Sequence, residues 1–491
     1  MRTSREVSVP VRTTAVRTAP FDAIRFLGAL QVSVGHYYGV SCRSVRIDAG
    51  GGNAVMLFFV MSGFVMGVAY GDRARALGRQ ADAGVHLLKA TSYGETDTIV
   101  NGKGGAVSRL SLNSFTLRFL ARRAARIGPL YWLSLLLYLP YSFYEQCRLP
   151  HLDLADPTSF ALPMCTADEI DLIALTTLTT ALFVTAWIPY PYGASINTPL
   201  WTVTCQFSYW ALFPRLALWL PDRLSLRRTL FACALLGLLY AASSVAVAAV
   251  VFAADYQPET NMFARKPPPI MYAYLVAHLW PLAKMPIFLI GQLCGAAAMQ
   301  LSDEAQAREQ SRTQSDAPSD TPSPVDDTRK QPDEQRWWPR VAGLVTLFYL
   351  SFTAMQVYVS SVPALGKRYM LVMRIGSELA FPPLFGLWLL ALSQSADSRL
   401  GRLLSCRPLK TAGAISFAWY VLHMPLLSYY GWLRLGFTPY WAARADRSLP
   451  LLSAVEILPF FALLAVLSIA AHYLIEVPAR RELSRKLDLM S

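Results

Sequence analysis

Apolar residues recur in long uninterrupted runs, at about 22–40, 53–70, 127–144, 172–189, 200–220, 229–253, 280–300, 340–359, 374–394, 412–433 and 453–475. Two of them, TLFACALLGLLYAASSVAVAAVVFA (229–253) and SAVEILPFFALLAVLSIAA (453–471), contain almost no polar position. A run of about 18 apolar residues is long enough to cross roughly 30 Å of hydrocarbon as a helix. The pattern predicts an all-α integral membrane fold. Charge then sorts the stretches. The N-terminus (Arg2, Arg5, Arg12, Arg17), the segment 71–126 and the tail (Arg480, Arg481, Arg485, Lys486) are basic, and basic loops face the cytoplasm. If 172–189 is a re-entrant or interfacial helix, Arg223–Arg228 and Arg399–Lys410 also fall inside. About ten transmembrane helices result, with N- and C-termini cytoplasmic.

The polar segments set the organisation. Residues 1–20 form a basic cytoplasmic N-terminus, and 21–300 the first part of a membrane domain with an insertion at 72–117. Residues 301–338, rich in Ser, Asp, Gln and Pro, have the composition of a disordered cytoplasmic linker. Residues 339–478 complete the membrane domain and 479–491 form the tail. Over the 491 residues, 54% are hydrophobic and only 16% charged, against about 25% charged in ordinary soluble domains. The net charge of +13 is accounted for by basic clusters flanking apolar runs, so nucleic acid is not an expected partner. The cysteines (42, 147, 165, 205, 233, 294 and 406) show no metal-ligand spacing, and no metal is expected. Cys147 and Cys165 share a loop and could pair in an oxidising compartment. No cleavable leader is visible at the start, and the first span is expected to act as a signal-anchor.

Ionisable residues inside spans are costly and mark functional candidates. In the first span Asp22 is either an N-cap or a functional acid, and Arg25 either a snorkelling interface residue or an anion ligand. His36 lies deeper; it either hydrogen-bonds a neighbouring helix or performs acid/base work. Arg25 and His36 are eleven residues apart, about 16 Å along a helix axis and three turns, so they project from nearly one face. That separation is close to the reach of a pantetheine arm. Arg118, Arg122 and Arg126 share a helical face beside Arg123. They can serve as a topology belt or as guanidinium ligands for phosphate. Asn197, Trp201, Thr202, Thr204, Gln206, Ser208 and Tyr209 crowd one segment, either as interhelical hydrogen bonds or as the wall of a pocket for a polar acceptor. Ser62 and Gly63 alone would signal a small-residue helix contact. His423 is a second imidazole within an apolar stretch.

Seven segments together resemble the integral-membrane acyltransferase-3 family, in the family's order. FDAIRFLGALQVSVGH (21–36) is similar to LDGLRALAALLVVLGH, FFVMSGFVM (58–66) to FFVLSGFLI, and RRAARIGPLYW (122–132) to RRLLRIYPLYW. PLWTVTCQFSYWALFP (199–214) is similar to PLWSLSVEEQFYLLFP, and KMPIFLIGQLCG (284–295) to RLPEFLLGMLLG. SFAWYVLHMP (416–425) looks like SYSLYLLHWP, and LIEVPARR (474–481) looks like IEKPLRR. The resemblance implies a ten-span fold and a cytoplasmic acyl-CoA donor, acetyl-CoA by default, with no permanently bound cofactor. It also implies His36 and Arg25 as the catalytic centre. Arg122, Arg123, Arg126, Ser62, Gly63 and Trp201 carry over as supporting positions, the first five as candidate donor-binding residues; Asn197, Trp201, Gln206, Tyr209 and His423 are the candidate acceptor-binding residues. Gln206 and Ile287 stand where the family carries acids, and Glu378 is a candidate replacement.

These readings predict an O-acyltransferase acting on a carbohydrate or lipid-linked hydroxyl in the plasma (cell inner) membrane, with a possible acyl-transfer partner protein. Two competing expectations are a transporter of a polar solute along His36, Gln206 and Glu378, and an inactive relative that binds an acylated ligand.

Overall fold

A computed structural model describes residues 16–38, 47–91, 104–148, 166–188, 197–220, 225–253, 276, 279–315, 337–362, 366–434 and 452–489. Every described element is helical. In chain order these are α1 (Pro20–His36), α2 (Gly51–Thr91), α3 (Gly104–Arg148), α4 (Ala167–Ala181), α5 (Leu200–Leu216), α6 (Leu226–Ala253) and α7 (Pro281–Ser315). There follow α8 (Trp338–Ser361), α9 (Gly366–Gln394), α10 (Arg399–Leu404), α11 (Arg407–Arg434), α12 (Ile457–Ala471) and α13 (Val477–Leu489). A π-helical turn, His472–Glu476, joins the last two.

Six helical segments among the described residues are long and apolar enough to cross a membrane: Gly51–Gly71, Leu226–Ala246, Pro281–Arg308, Trp338–Ser361, Ile375–Gln394 and Ala454–Leu483. Their burial differs. The spans in α2 and α7 are mostly buried, whereas only 17% of α8 and 22% of the last span are. Leu344, Leu347, Phe348 and Leu350 on α8, and Leu458, Val466 and Leu474 on the last span, are exposed large apolar residues. A water-soluble surface does not carry apolar bands of that size; acyl chains accommodate them at no cost. The chain is a multi-pass membrane protein.

At the centre, α2 and α7 touch through backbone. A Cβ on Gly63 would lie 2.0 Å from the Phe288 carbonyl oxygen, and one on Gly291 would lie 1.8 Å from that of Val60. Gly67 and Gly295 repeat the approach one turn on. These are paired small-xxx-small faces, which gain van der Waals contact where no hydrophobic force separates helix from lipid.

The apolar stretch at 172–189 resolves into α4 and a reversal. Its helix has 15 residues, about 22 Å, short of the roughly 30 Å a crossing needs. Phe183 (φ 58°) turns the chain back. The last α4 carbonyls find partners on α3: Tyr131 Oη donates to Thr180 O at 2.7 Å and Trp132 Nε1 to Ala181 O at 3.0 Å.

Two boundaries differ from expectation. Helix α7 continues through Ser315, fifteen residues into the segment expected to be disordered, because 301–315 are dominated by Ala, Glu, Gln and Arg and extending an existing helix is cheap compared with starting one. In the same way α2 runs on to Thr91 and α3 begins at Gly104, so both flank the 72–117 insertion as helix. Residues 316–336 and the side chains of Cys147 and Cys165 lie outside the described residues.

Candidate active site

Pro20 at the start of α1 presets the first turn, and Asp22 follows it. Asp22 is not the N-cap, which is Ala19 without a side-chain bond. Its carboxylate instead accepts from Arg25 Nη2 at 3.1 Å. Helices α1 and α11 run parallel, their contacts advancing together along both chains. A Cβ on Gly413 would meet the Asp22 carbonyl oxygen at 2.5 Å. Further along, Trp419 Nε1 donates to Ser33 Oγ at 2.9 Å, and Ser33 Oγ donates to Ala29 O at 2.8 Å.

The seam ends in two imidazoles. His36 Nδ1 and His423 Nε2 are 2.8 Å apart. The ring planes differ by 12° and the centroids are 5.1 Å apart. With the nitrogens 2.8 Å apart, that separation requires the rings to lie nearly edge to edge in one plane, not face on face. His423 is fully buried and His36 is half-buried. His423 Nδ1 lies 2.5 Å from the Tyr420 carbonyl oxygen, one turn earlier. Pro425 lacks an N–H, so the Val421 carbonyl loses its intrahelical partner. Asn197 Nδ2 fills that vacancy at 3.1 Å and also donates to Ser134 Oγ at 3.2 Å. Asn197 does so from a left-handed backbone (φ 46°) just before α5, a conformation Asn tolerates better than most residues.

At the other end of α1 guanidinium groups gather. The charges acting on Arg25 include Asp22, Arg126 and Glu476, and those acting on Arg123 include Arg126 and Arg25. Arg123 is held by aromatic faces, its Cζ 5.4–5.5 Å from the ring centres of Tyr70, Phe119 and Trp210. Trp210 is in turn fixed by Nε1 donation to Ser62 Oγ at 3.0 Å. Arg122 and Arg126 remain exposed beside it. Glu476 sits in the π turn, where its Oε2 is 2.8 Å from His472 Nδ1, both side chains buried. Arg25, Arg123 and Arg126 thus act on one another electrostatically, with Asp22 and Glu476 among the charges acting on Arg25.

A family model described as an acyltransferase domain matches residues 19–477, nearly the whole chain. The chain belongs to the integral-membrane acyltransferase-3 family. No curated protein and no solved structure matches it.

Within this acyltransferase the remaining candidates divide by place. Ser62 reaches the cationic end through Trp210, but Gly63 lies against α7, whose backbone alone accounts for the glycine. Trp201 and Tyr209 belong to the core: Trp201 packs edge-on to Phe59 at 6.1 Å, and Tyr209 Oη donates to Pro281 O at 2.9 Å. Gln206 is half-buried on α5. Glu378 is buried on α9; the carboxylates named among the charges acting on Arg25 are Asp22 and Glu476. His423 reads differently from a pocket wall, since it touches His36 itself. Sequence reasoning passed over His472 and Glu476, although Glu476 is an ionisable residue directly after the last apolar stretch and stands inside the LIEVPARR segment. It also passed over Lys284, a buried cation whose Nζ donates to Tyr240 Oη at 2.7 Å.

Proposed function

We propose that this acyltransferase moves an acyl group, acetyl by default, from cytoplasmic acyl-CoA to a hydroxyl of a carbohydrate or related acceptor. Arg25, Arg123 and Arg126, with Arg122 beside them, hold the phosphates of coenzyme A. The pantetheine arm follows α1 inward and brings the thioester to His36. His36 takes the proton of the acceptor hydroxyl, and the oxygen attacks the thioester carbonyl. The C–S bond breaks, and the departing thiolate recovers the proton from His36 as the ester forms. Ten spans with both ends in the cytoplasm of a plasma membrane would put the arginine cluster on the donor's side.

The observation that carries this reading is the distribution of charge and base on α1. A guanidinium cluster stands at one end and an imidazole pair at the other, about 16 Å apart along the axis. Asp22 accepts from Arg25, and Glu476 is among the charges acting on it. The test is transfer of labelled acetyl from acetyl-CoA by the purified full chain in lipid. His36→Ala should insert normally and lose at least about 10²-fold in turnover, the usual worth of a general base. Turnover equal to the unaltered protein would end the proposal. Saturable solute uptake without acyl-CoA consumption would instead favour a transporter.

A further inference from the structure

The hydrogen-bond chain through His423 has only one consistent assignment of protons when both rings are neutral. A carbonyl oxygen only accepts, so at 2.5 Å from Tyr420 O the His423 Nδ1 must carry hydrogen. A neutral His423 therefore presents a lone pair at Nε2. The atom facing that lone pair is His36 Nδ1 at 2.8 Å, which must donate. His36 Nδ1 being protonated, its Nε2 carries the lone pair. The near-coplanar rings, 12° apart, aim the Nδ1–H along the partner's lone pair. Neutrality follows from burial: an imidazolium in a membrane interior is costly, and among the described residues no carboxylate acts on either ring.

We infer that His423 is a positioning residue which, through the Tyr420 carbonyl, fixes His36 in the Nδ1–H tautomer and leaves its Nε2 as the one nitrogen able to accept a proton. This rests on the acyl-transfer reading for its catalytic consequence but not for its hydrogen bonds. When His36 Nε2 takes the acceptor's proton, Nδ1–H stays on His423, and the new charge is shared along the hydrogen bond toward the helix carbonyls. The arrangement assigns to a neutral histidine the orienting part that a carboxylate plays in other base-activating sites. The fold supports it from two sides. Tyr420 Oη is anchored to Thr202 Oγ1 at 2.8 Å, and Asn197 occupies the carbonyl that Pro425 leaves open.

The test reads protons directly. Full-length protein labelled with ¹⁵N-histidine is reconstituted in bilayers, and the ring nitrogens are assigned from His36→Ala and His423→Phe samples. The expected spectrum shows His36 and His423 each protonated at Nδ1 and bare at Nε2, with a coupling across the Nδ1–Nε2 hydrogen bond. A His36 ring protonated at Nε2, or a doubly protonated His423, would overturn the inference. Kinetics give the second readout. His423→Phe keeps the ring shape and removes the acceptor, and should lower kcat on the order of 10²-fold or more with KM for acetyl-CoA unchanged. His423→Gln restores an acceptor oxygen close to the Nε2 position and should recover most of that loss. Equal turnover in His423→Phe and the unaltered protein would also overturn it. Absence of any acyl-CoA turnover in the unaltered protein would defeat the acyl-transfer reading, while the spectrum would still decide the proton arrangement.

Discussion

Arg123 is a cation held among aromatic rings. Three aromatic faces surround its guanidinium, each such contact contributing about 0.5–2 kcal/mol. One of those faces, Trp210, is pinned by Ser62. Ser62→Ala removes the only acceptor described for the Trp210 N–H, a loss of about 1–3 kcal/mol when the group stays buried. The expected outcome is a lower unfolding midpoint together with a raised KM for acyl-CoA and an unchanged kcat, measured by thermal unfolding in detergent and by steady-state kinetics. A fall in kcat alone would show that Ser62 acts elsewhere. The residue scale is also where sequence and structure agree in part. Arg25 and His36 were legible as ionisable residues on one helix, but Asp22 pairs with Arg25 where a helix cap was the simpler reading.

Between elements, the α2–α7 crossing packs backbone against backbone on the same helix that carries Ser62, the acceptor of the Trp210 N–H. Gly63→Ala would drive a methyl group into the Phe288 carbonyl, and backbone cannot yield as a side chain can. Overpacking of this kind costs about 1–3 kcal/mol or more. Gly343→Ala on α8 meets nothing within 4 Å and should hold or raise stability by about 0.5–1 kcal/mol. Side-by-side unfolding midpoints of the two variants check the contrast; equal midpoints would mean that the helices separate without strain. The Ser-Gly-Phe segment was readable as a small-residue contact, yet its partner was not. GxxxG faces on α2 and α7 carry no label saying which meets which.

At the scale of the whole molecule, six helical segments among the described residues are long and apolar enough to cross a membrane, and the short helix α4 turns back at Phe183. The proposed ten crossings would place both termini on one side. Single cysteines introduced near residue 3 and near residue 490 should resist a membrane-impermeant thiol reagent in intact cells and react once the membrane is opened; labelling of either from outside would refute the arrangement. Long apolar runs, flanking basic clusters and the order of seven motifs were enough to specify an all-helical membrane acyltransferase, because hydrocarbon thickness and the cost of moving charge across a bilayer act on composition and local spacing. The Arg25–His36 register followed as well, since one helix fixes it. What only the tertiary structure decided is the pairing of distant residues. His36 meets His423 387 positions away, Glu476 from the far end of the chain acts electrostatically on Arg25, and Asn197 repairs a carbonyl that Pro425 leaves open. Such contacts depend on which helices pack together and at what depth, and no period within a single helix encodes that.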